Sequence, residues 1–378
     1  MLYTIKQNNR FGFINEDGEV IIKPEFDAVR EFFYGHCVVK VKDKFGLISD
    51  NGNYVLQPDY SNLFIVSENL LSIKENGKQA LMNFQGALLT DYNYDGIFNF
   101  SEGLALAYIG LKFSYIDKNG IKIIPFEFDF AESFCQGYAM VKKGKKFGLI
   151  NNEGVFESEP SWDFYSSYEN CYVVNIGGHI IDDDIYGGKF GIVSKSNQIA
   201  TGVKFDFIGK FLNGEALIRN NGLFGRINEV GIITVAIEHK EPVEDKQKFR
   251  NFEVDKKKGL IDDEGAKIIP AIYDFLQVYP EAGFCWAKQN GLYGILSLDN
   301  SFIVKPMFEL STIYPIQKDY VKVELKNKKF GLLSIPSGDW LIPPEYDSIG
   351  VFKGALVELR VNKKLSYANR NGKVVWSE

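Results

Sequence analysis

Eight carboxylates recur along the chain, each directly after an aromatic residue: Phe26-Asp27, Tyr94-Asp95, Phe128-Asp129, Trp162-Asp163, Phe205-Asp206, Tyr273-Asp274, Phe308-Glu309 and Tyr346-Asp347. Stacked once per unit, such a row could bind cations or a cationic partner. Two of its members could also supply the acid and nucleophile of glycoside hydrolysis. A catalytic site needs asymmetry, however, and this row repeats. Its recurring place shortly after a proline points instead to Asp capping a turn through nearby backbone N–H groups.

The second candidate is unique. The stretch "NIGGHIIDDDIYGG" (175–188) holds the extra residues of an otherwise regular pattern. His179 with Asp182, Asp183 and Asp184 could contact a metal. Yet the acids do not alternate as in a Ca²⁺ loop, and one histidine is too few for a zinc site. A charge run of this kind is ordinarily a solvated hairpin. Added loops often carry function, and the functional reading that fits best is contact with a basic partner through His179, Asp182, Asp183, Asp184 and Tyr186. A second irregular stretch, 236–258, is highly charged and lacks the Pro-x-aromatic-Asp segment. It reads as a worn repeat or a partner-facing edge.

Other chemistry is absent from the sequence. His36, His179 and His239 lie in no Ser, Cys or Asp motif with nucleophile spacing. No GxGxxG opens a helix and no P-loop occurs, so "GGKFG" (187–191) belongs to a strand. Cys37, Cys135, Cys171 and Cys285 form no CxxC pair, and Cys37 and Cys285 hold equivalent repeat positions. They read as small buried hydrophobes in a reducing compartment. The expectation is a non-enzymatic protein with no catalytic residue, no metal and no cofactor.

The elements that position these residues follow from one short word. "KFGLI" stands at 44–48 and again at 146–150, with near copies at 189 and 329. Counting from the residue before each Phe-Gly pair, or its equivalent, gives anchors Arg10, Lys44, Lys78, Lys112, Lys146, Lys189, Leu223, Lys257, Leu292, Lys329 and Lys364. The interval is 34 residues in most cases and 43 across the insertion, which marks a repeat array. Two places after each anchor the residue is always small (Gly, Ala80, Ser114 or Ser366), which implies close approach of another backbone or ring. Eight places after it comes a turn residue, Gly in most copies and Asn at 197 and 300, often preceded by Asp or Asn, a hairpin signal. Proline then ends the next strand, and alternating stretches such as "FFYGHCVVKV" (32–41) supply a third. The aromatic before each acid reads as the core that staples successive units rather than as a sugar platform.

The fold class is therefore all-β: a tandem repeat of about eleven three-stranded antiparallel units of about 34 residues in one domain, 1–378. With so many units, an open, curved or superhelical β-solenoid-like array suits the count better than a closed propeller-like ring. The net charge of −6 argues against nucleic acid as partner. No run of 18 apolar residues suggests a membrane span, and "MLYTIKQNNRFGF" does not read as a secretory signal, so a cytoplasmic location is expected.

Together these features resemble the bacterial WG-repeat (KWG-repeat) proteins. "KFGLISDNG" (44–52), "GLALAYIGLKFSYIDKNGIKIIPFEFDFAESF" (103–134) and "KFGLLSIPSGDWLIPPEYDSI" (329–349) carry the likeness, which covers essentially the whole chain. The family's Trp is replaced here by Phe or Tyr in most copies. Trp162, Trp286, Trp340 and Trp376 lie elsewhere, which removes any ligand contact that depended on that Trp. The resemblance implies a protein-interaction module, in some members of immunity or antitoxin type, and brings no catalytic residues. The alternatives are a carbohydrate or cell-envelope binding protein and a structural subunit of a larger assembly.

Overall fold

The repeated word forms the third strand of a small antiparallel sheet. In one such sheet Phe130–Ala131, Tyr138–Lys143, Lys146–Asn151 and Phe156–Trp162 pair in chain order. Left-handed residues close each connection: Gln136-Gly137 (φ 55° and 86°), Gly144 (66°) and Gly154 (81°). The Asn151 carboxamide accepts from the Glu153 and Val155 amides and fixes the last turn. In the two middle strands Ala139, Met140, Val141, Leu149 and Ile150 are all buried, so both sheet faces are covered. That is why "KFGLI" is a continuous apolar run rather than an alternating one.

The computed structural model describes residues 1–67, 69–195, 201–243, 249–309, 312–317 and 319–378. Every regular element among them is a strand, and the sheets hold three or four strands apart from one two-stranded hairpin. No sheet closes into a barrel, so the chain forms the all-β tandem array of separate small sheets that its repeats imply. The expected turn at Asn197, and 244–248 within the irregular stretch 236–258, lie outside the described residues.

Two local expectations change. Most sheets have four strands, not three: an inner strand follows the repeated acid, and it is only two residues long at Phe130–Ala131 and Phe207–Ile208. Proline does not end the outer strand. Pro24, Pro58, Pro125 and Pro160 lie inside it, at a sheet edge where a missing N–H costs no ladder bond.

The outer strand also explains the small residue. Its register slips against the third strand, between Phe147↔Trp162 and Leu149↔Ser158, and the bulge presses backbone onto Gly148. A Cβ on Gly148 would stand 2.6 Å from the Ser158 carbonyl oxygen, one on Gly12 2.5 Å from that of Ile22, and one on Gly294 2.5 Å from that of Val304. At Gly331 the obstacle is the Trp340 ring. Ser114 fits because its hydroxyl donates to the Ile124 carbonyl. Ala80 fits because its sheet has no outer strand, only the single bridges Gln79↔Tyr94 and Met82↔Leu88.

The chain gathers into two compact units, residues 30–244 and residues 1–29 with 245–378. In the first, the aromatic row joins neighbouring sheets as expected. Phe128, fully buried, packs with Tyr115 and Ile124 of its own sheet and with Ala131, Ala139, Val141 and Ile150 of the next. Phe205 does the same among Phe190, Ile192, Ala216 and Ile218. In the second unit Phe308 lies between Ile295 and Val323 in a like cluster. There the first sheet also packs face to face on the last, with Tyr3, Ile5 and Ile14 against Leu356, Leu365, Tyr367 and Trp376. The Tyr367 hydroxyl donates to the Thr4 carbonyl at 2.9 Å, and the Ala355 amide donates to the Tyr3 hydroxyl at 2.9 Å.

Candidate functional site

The acid row is occupied by structural work. Lys112 Nζ donates to Asp129 Oδ1 at 2.6 Å, and the Gly144 amide of the next sheet donates to Oδ2 at 2.7 Å. The same pair of bonds joins Lys78 and Gly110 through Asp95 (2.7 and 2.7 Å), Lys146 and Gly177 through Asp163 (2.6 and 2.9 Å), and Lys329 and Asn362 through Asp347 (2.6 and 2.6 Å). Each Asp thus holds not the turn after its own proline, as expected, but the hairpin of the next sheet, 14 or 15 residues on, and links it to the anchor lysine of its own sheet. Where the anchor is Leu292 the link is missing: Glu309 is exposed and stands 3.8 Å from Lys326 instead. The sequence holds a signal for this pairing, a separation between anchor and acid of 17 residues, or 18 at Lys329 and Asp347.

These links make acid stability predictable. Hydrogen bonds from the anchor lysine first, then from the turn amide, hold Asp95, Asp129, Asp163, Asp206 and Asp347 below the ordinary carboxylate range, and the Lys257 ammonium does the same for Asp274. A carboxyl more acidic in the folded than in the unfolded chain adds stability above its unfolded pKa of about 4 and loses it as pH falls through the lower folded value. The thermal midpoint is therefore expected to hold above about pH 5 and to drop below about pH 4. A variant with Asp129→Asn and Asp163→Asn should start lower and drop less. A midpoint equally acid-sensitive in both proteins would contradict the assignment.

A second polar group joins three sheets. Tyr165 and Tyr172 donate to the two oxygens of Glu132 at 2.7 and 3.0 Å, and Tyr115 donates to the Glu132 carbonyl at 2.6 Å. Burial first, and the Glu132 carboxylate next, push the phenols of Tyr165 and Tyr172 well above their usual range. They stay protonated donors, which suits a fastener and not a nucleophile.

The insertion forms the feature that the repeats do not explain. His179–Ile181 pairs with Asp184–Tyr186, and Asp182 and Asp183 make the two-residue turn with φ of 48° and 67°. Asn175, fully buried, clamps the base: its amide donates to the Gly187 carbonyl at 3.0 Å and its oxygen accepts from the Gly178 amide at 2.9 Å. Ile185 turns inward and packs with Tyr168 and Phe211 on the underlying core. Asp184 reaches Lys210 at 3.9 Å. Ile180, Ile181 and Tyr186 remain outside, 56%, 48% and 48% exposed.

All five residues singled out from the sequence, His179, Asp182, Asp183, Asp184 and Tyr186, thus lie on one hairpin. They do not converge as metal ligands, and among the described residues no group of three or more His, Cys, Asp or Glu side chains does. Sequence reasoning missed Asn175. Its signal is a break in the repeat, since the equivalent place holds Lys40 and Lys142 elsewhere.

The model of a family described as "WG containing repeat" matches residues 11–45, 45–78, 81–110, 113–147, 259–293 and 336–364, more than half of the chain. The chain belongs to the WG-repeat family. Most of the Phe and Tyr that stand in its Trp positions are half-buried, and several lie under a lysine, as Phe147 does under Lys142 (5.1 Å), so an aromatic is kept in place. No curated protein matches this WG-repeat chain. Among solved structures, a eukaryotic initiation factor is 9% identical with a TM-score of 0.37, over 91% of this chain and 96% of that one. The computationally designed Ika8 protein is 11% identical with a TM-score of 0.26, over 82% and 93%. The extracellular domain of a putative hybrid two-component system from B. thetaiotaomicron is 12% identical with a TM-score of 0.25, over 94% and 57%. All three scores lie below 0.5.

Proposed function

We propose that this WG-repeat protein is a non-enzymatic binding module that docks a basic protein partner on the hairpin 179–186. The observation that carries this reading is the hairpin itself. It interrupts a regular array, is clamped at its base by Asn175, and presents Ile180, Ile181 and Tyr186 beside the acidic turn Asp182–Asp184. Apolar anchors with a charged rim suit a partner of opposite sign, whose encounter the charge accelerates. The short free edges of the hairpin also offer backbone groups to an added strand. In its most concrete form the partner is a basic toxin and the protein its intracellular immunity or antitoxin factor.

The test is affinity capture from the lysate of the natural source, with the full chain and with a variant lacking 179–186. Gly178 and Gly187 lie side by side, so joining them removes the hairpin and leaves its base closed. One stoichiometric basic protein held by the full chain and lost by the variant supports the reading. Equal capture by both overturns it. For the toxin version, co-expression with the captured partner should restore growth only when the hairpin is present.

A further inference from the structure

The join around Phe205 shows what a complete link between neighbouring sheets contains. Phe205-Asp206 leads into the inner strand Phe207–Ile208, which pairs with Arg219 and Ile218. The Asp206 amide donates to the Arg219 carbonyl at 2.9 Å. Its carboxylate accepts from the Lys189 ammonium and, at 2.6 Å, from the Asn221 amide. The Phe205 ring, 1% exposed, fills the space between the two sheets.

The join between the last sheet and the first lacks these parts. The first sheet has only the strands Tyr3–Gln7, Arg10–Ile14 and Val20–Phe26, so Tyr3–Gln7 is an open edge where an inner strand lies elsewhere. Counted from the hairpins closed by Gln7↔Arg10 and Asn220↔Leu223, Ile5, Lys6 and Asn8 hold the places of Ile218, Arg219 and Asn221. The Asn8 amide makes no hydrogen bond among the described residues. On the last sheet the anchor Lys364 is exposed and makes no ion pair among the described residues. Beside it the Glu378 carboxylate accepts from the Leu365 amide at 3.3 Å but brings no ring. A cavity of about 260 Å³ remains, lined by Ile5, Phe11, Leu365 and Tyr367 among others. Lys6, Arg360 and Lys363 line it against Glu378 and Glu358, and Glu358 is already paired with Arg360 at 2.6 Å. Among the described residues the sheet 249–273 also lacks an inner strand, but 244–248 before it lie outside them.

We infer that this edge takes up a strand from a partner protein, an extended segment of the form aromatic-Asp-aromatic-apolar. Its backbone pairs with Lys6 and Ile5 as Phe207–Ile208 pairs with Arg219 and Ile218. Its first ring fills the cavity, and its carboxylate bridges the Lys364 ammonium and the Asn8 amide, the two groups left without an acid. The added strand is short, as the two-residue inner strands are, because the Tyr367 hydroxyl already donates to the Thr4 carbonyl at 2.9 Å. The chain's own aromatics at Phe26, Phe128, Phe205 and Tyr273 are at most 2% exposed, each built into its own join, so a second copy of the chain has none of these segments free to donate. The hairpin 179–186 takes no part in this site.

The probe is a fluorescein-labelled peptide "VKFDFIGK", the sequence of 203–210, added to the full chain. Anisotropy should show one saturable site, and hydrogen exchange should slow at the Lys6 and Asn8 amides. Lys364→Gln should weaken binding about fivefold, as should asparagine in place of the peptide's aspartate. Lys6→Pro removes the edge donor and should abolish binding, with an unchanged near-UV spectrum as the check on folding. Should that variant not fold, the exposed Lys364 and the pair of peptides still decide the outcome. No saturable binding up to about 1 mM, or equal binding of the aspartate and asparagine peptides, would overturn the inference. So would a chain that is dimeric by itself and monomeric with Lys6→Pro, since that gives the edge to a second copy.

Discussion

Gly148→Val is expected to unfold the sheet that carries it. A first side-chain carbon there would stand 2.6 Å from the Ser158 carbonyl and 2.9 Å from the Pro160 nitrogen, both backbone atoms that no rotamer change can move. Inserting one methylene into a packed site costs about 1–3 kcal/mol, and valine adds three carbons, so the loss should exceed about 3 kcal/mol. Gly148→Ala should fall within the one-methylene range. Hydrogen exchange would locate the effect, with protection lost first over residues 130–162 and next in the sheets on either side. Native protection in Gly148→Val would show that the outer strand yields, and the explanation for the small residue in every repeat would fail.

Phe128→Ala is expected to be comparably damaging for a different reason. The ring is fully buried and belongs to one sheet while filling space against the next. Truncating such a ring removes transfer energy and leaves a cavity, about 3–5 kcal/mol together. In an array whose stability resides in neighbour contacts, both sheets should loosen, 96–128 and 130–162 alike. Exchange confined to the first sheet would mean that the aromatic row fills sheets and does not join them.

Much of this was legible in the sequence, residue by residue. The small position, the Gly turn and the aromatic row each have one local cause, repeated, and repetition made the cause readable. The inner strand was not legible, because two residues such as Phe130–Ala131 carry no periodicity. Nor was the tolerance of proline, which depends on the outer strand lying at an edge. The acid row was legible as structural rather than catalytic, but both its partners needed the fold: the amide it accepts from lies 15 residues on in the next hairpin, and 17 residues of chain separate Lys112 from Asp129, which only the bulged outer strand brings to 2.6 Å. The hairpin was legible as an excess of residues. Its clamp was not, since Asn175 lies before the excess and acts through Gly178 and Gly187.

The division of labour between the two acidic features is the central claim, and one comparison tests it. Capture of the basic partner would be measured at low and high salt for the full chain, for Asp129→Asn, and for the triple variant Asp182→Asn, Asp183→Asn, Asp184→Asn. The expected result is that Asp129→Asn lowers the thermal midpoint and leaves capture intact. The triple variant should keep its midpoint and lose capture, as the full chain does at high salt. Capture lost with Asp129→Asn at a temperature where that variant remains folded, and retained by the triple variant, would contradict the account and return the repeated acids to the role of a binding surface.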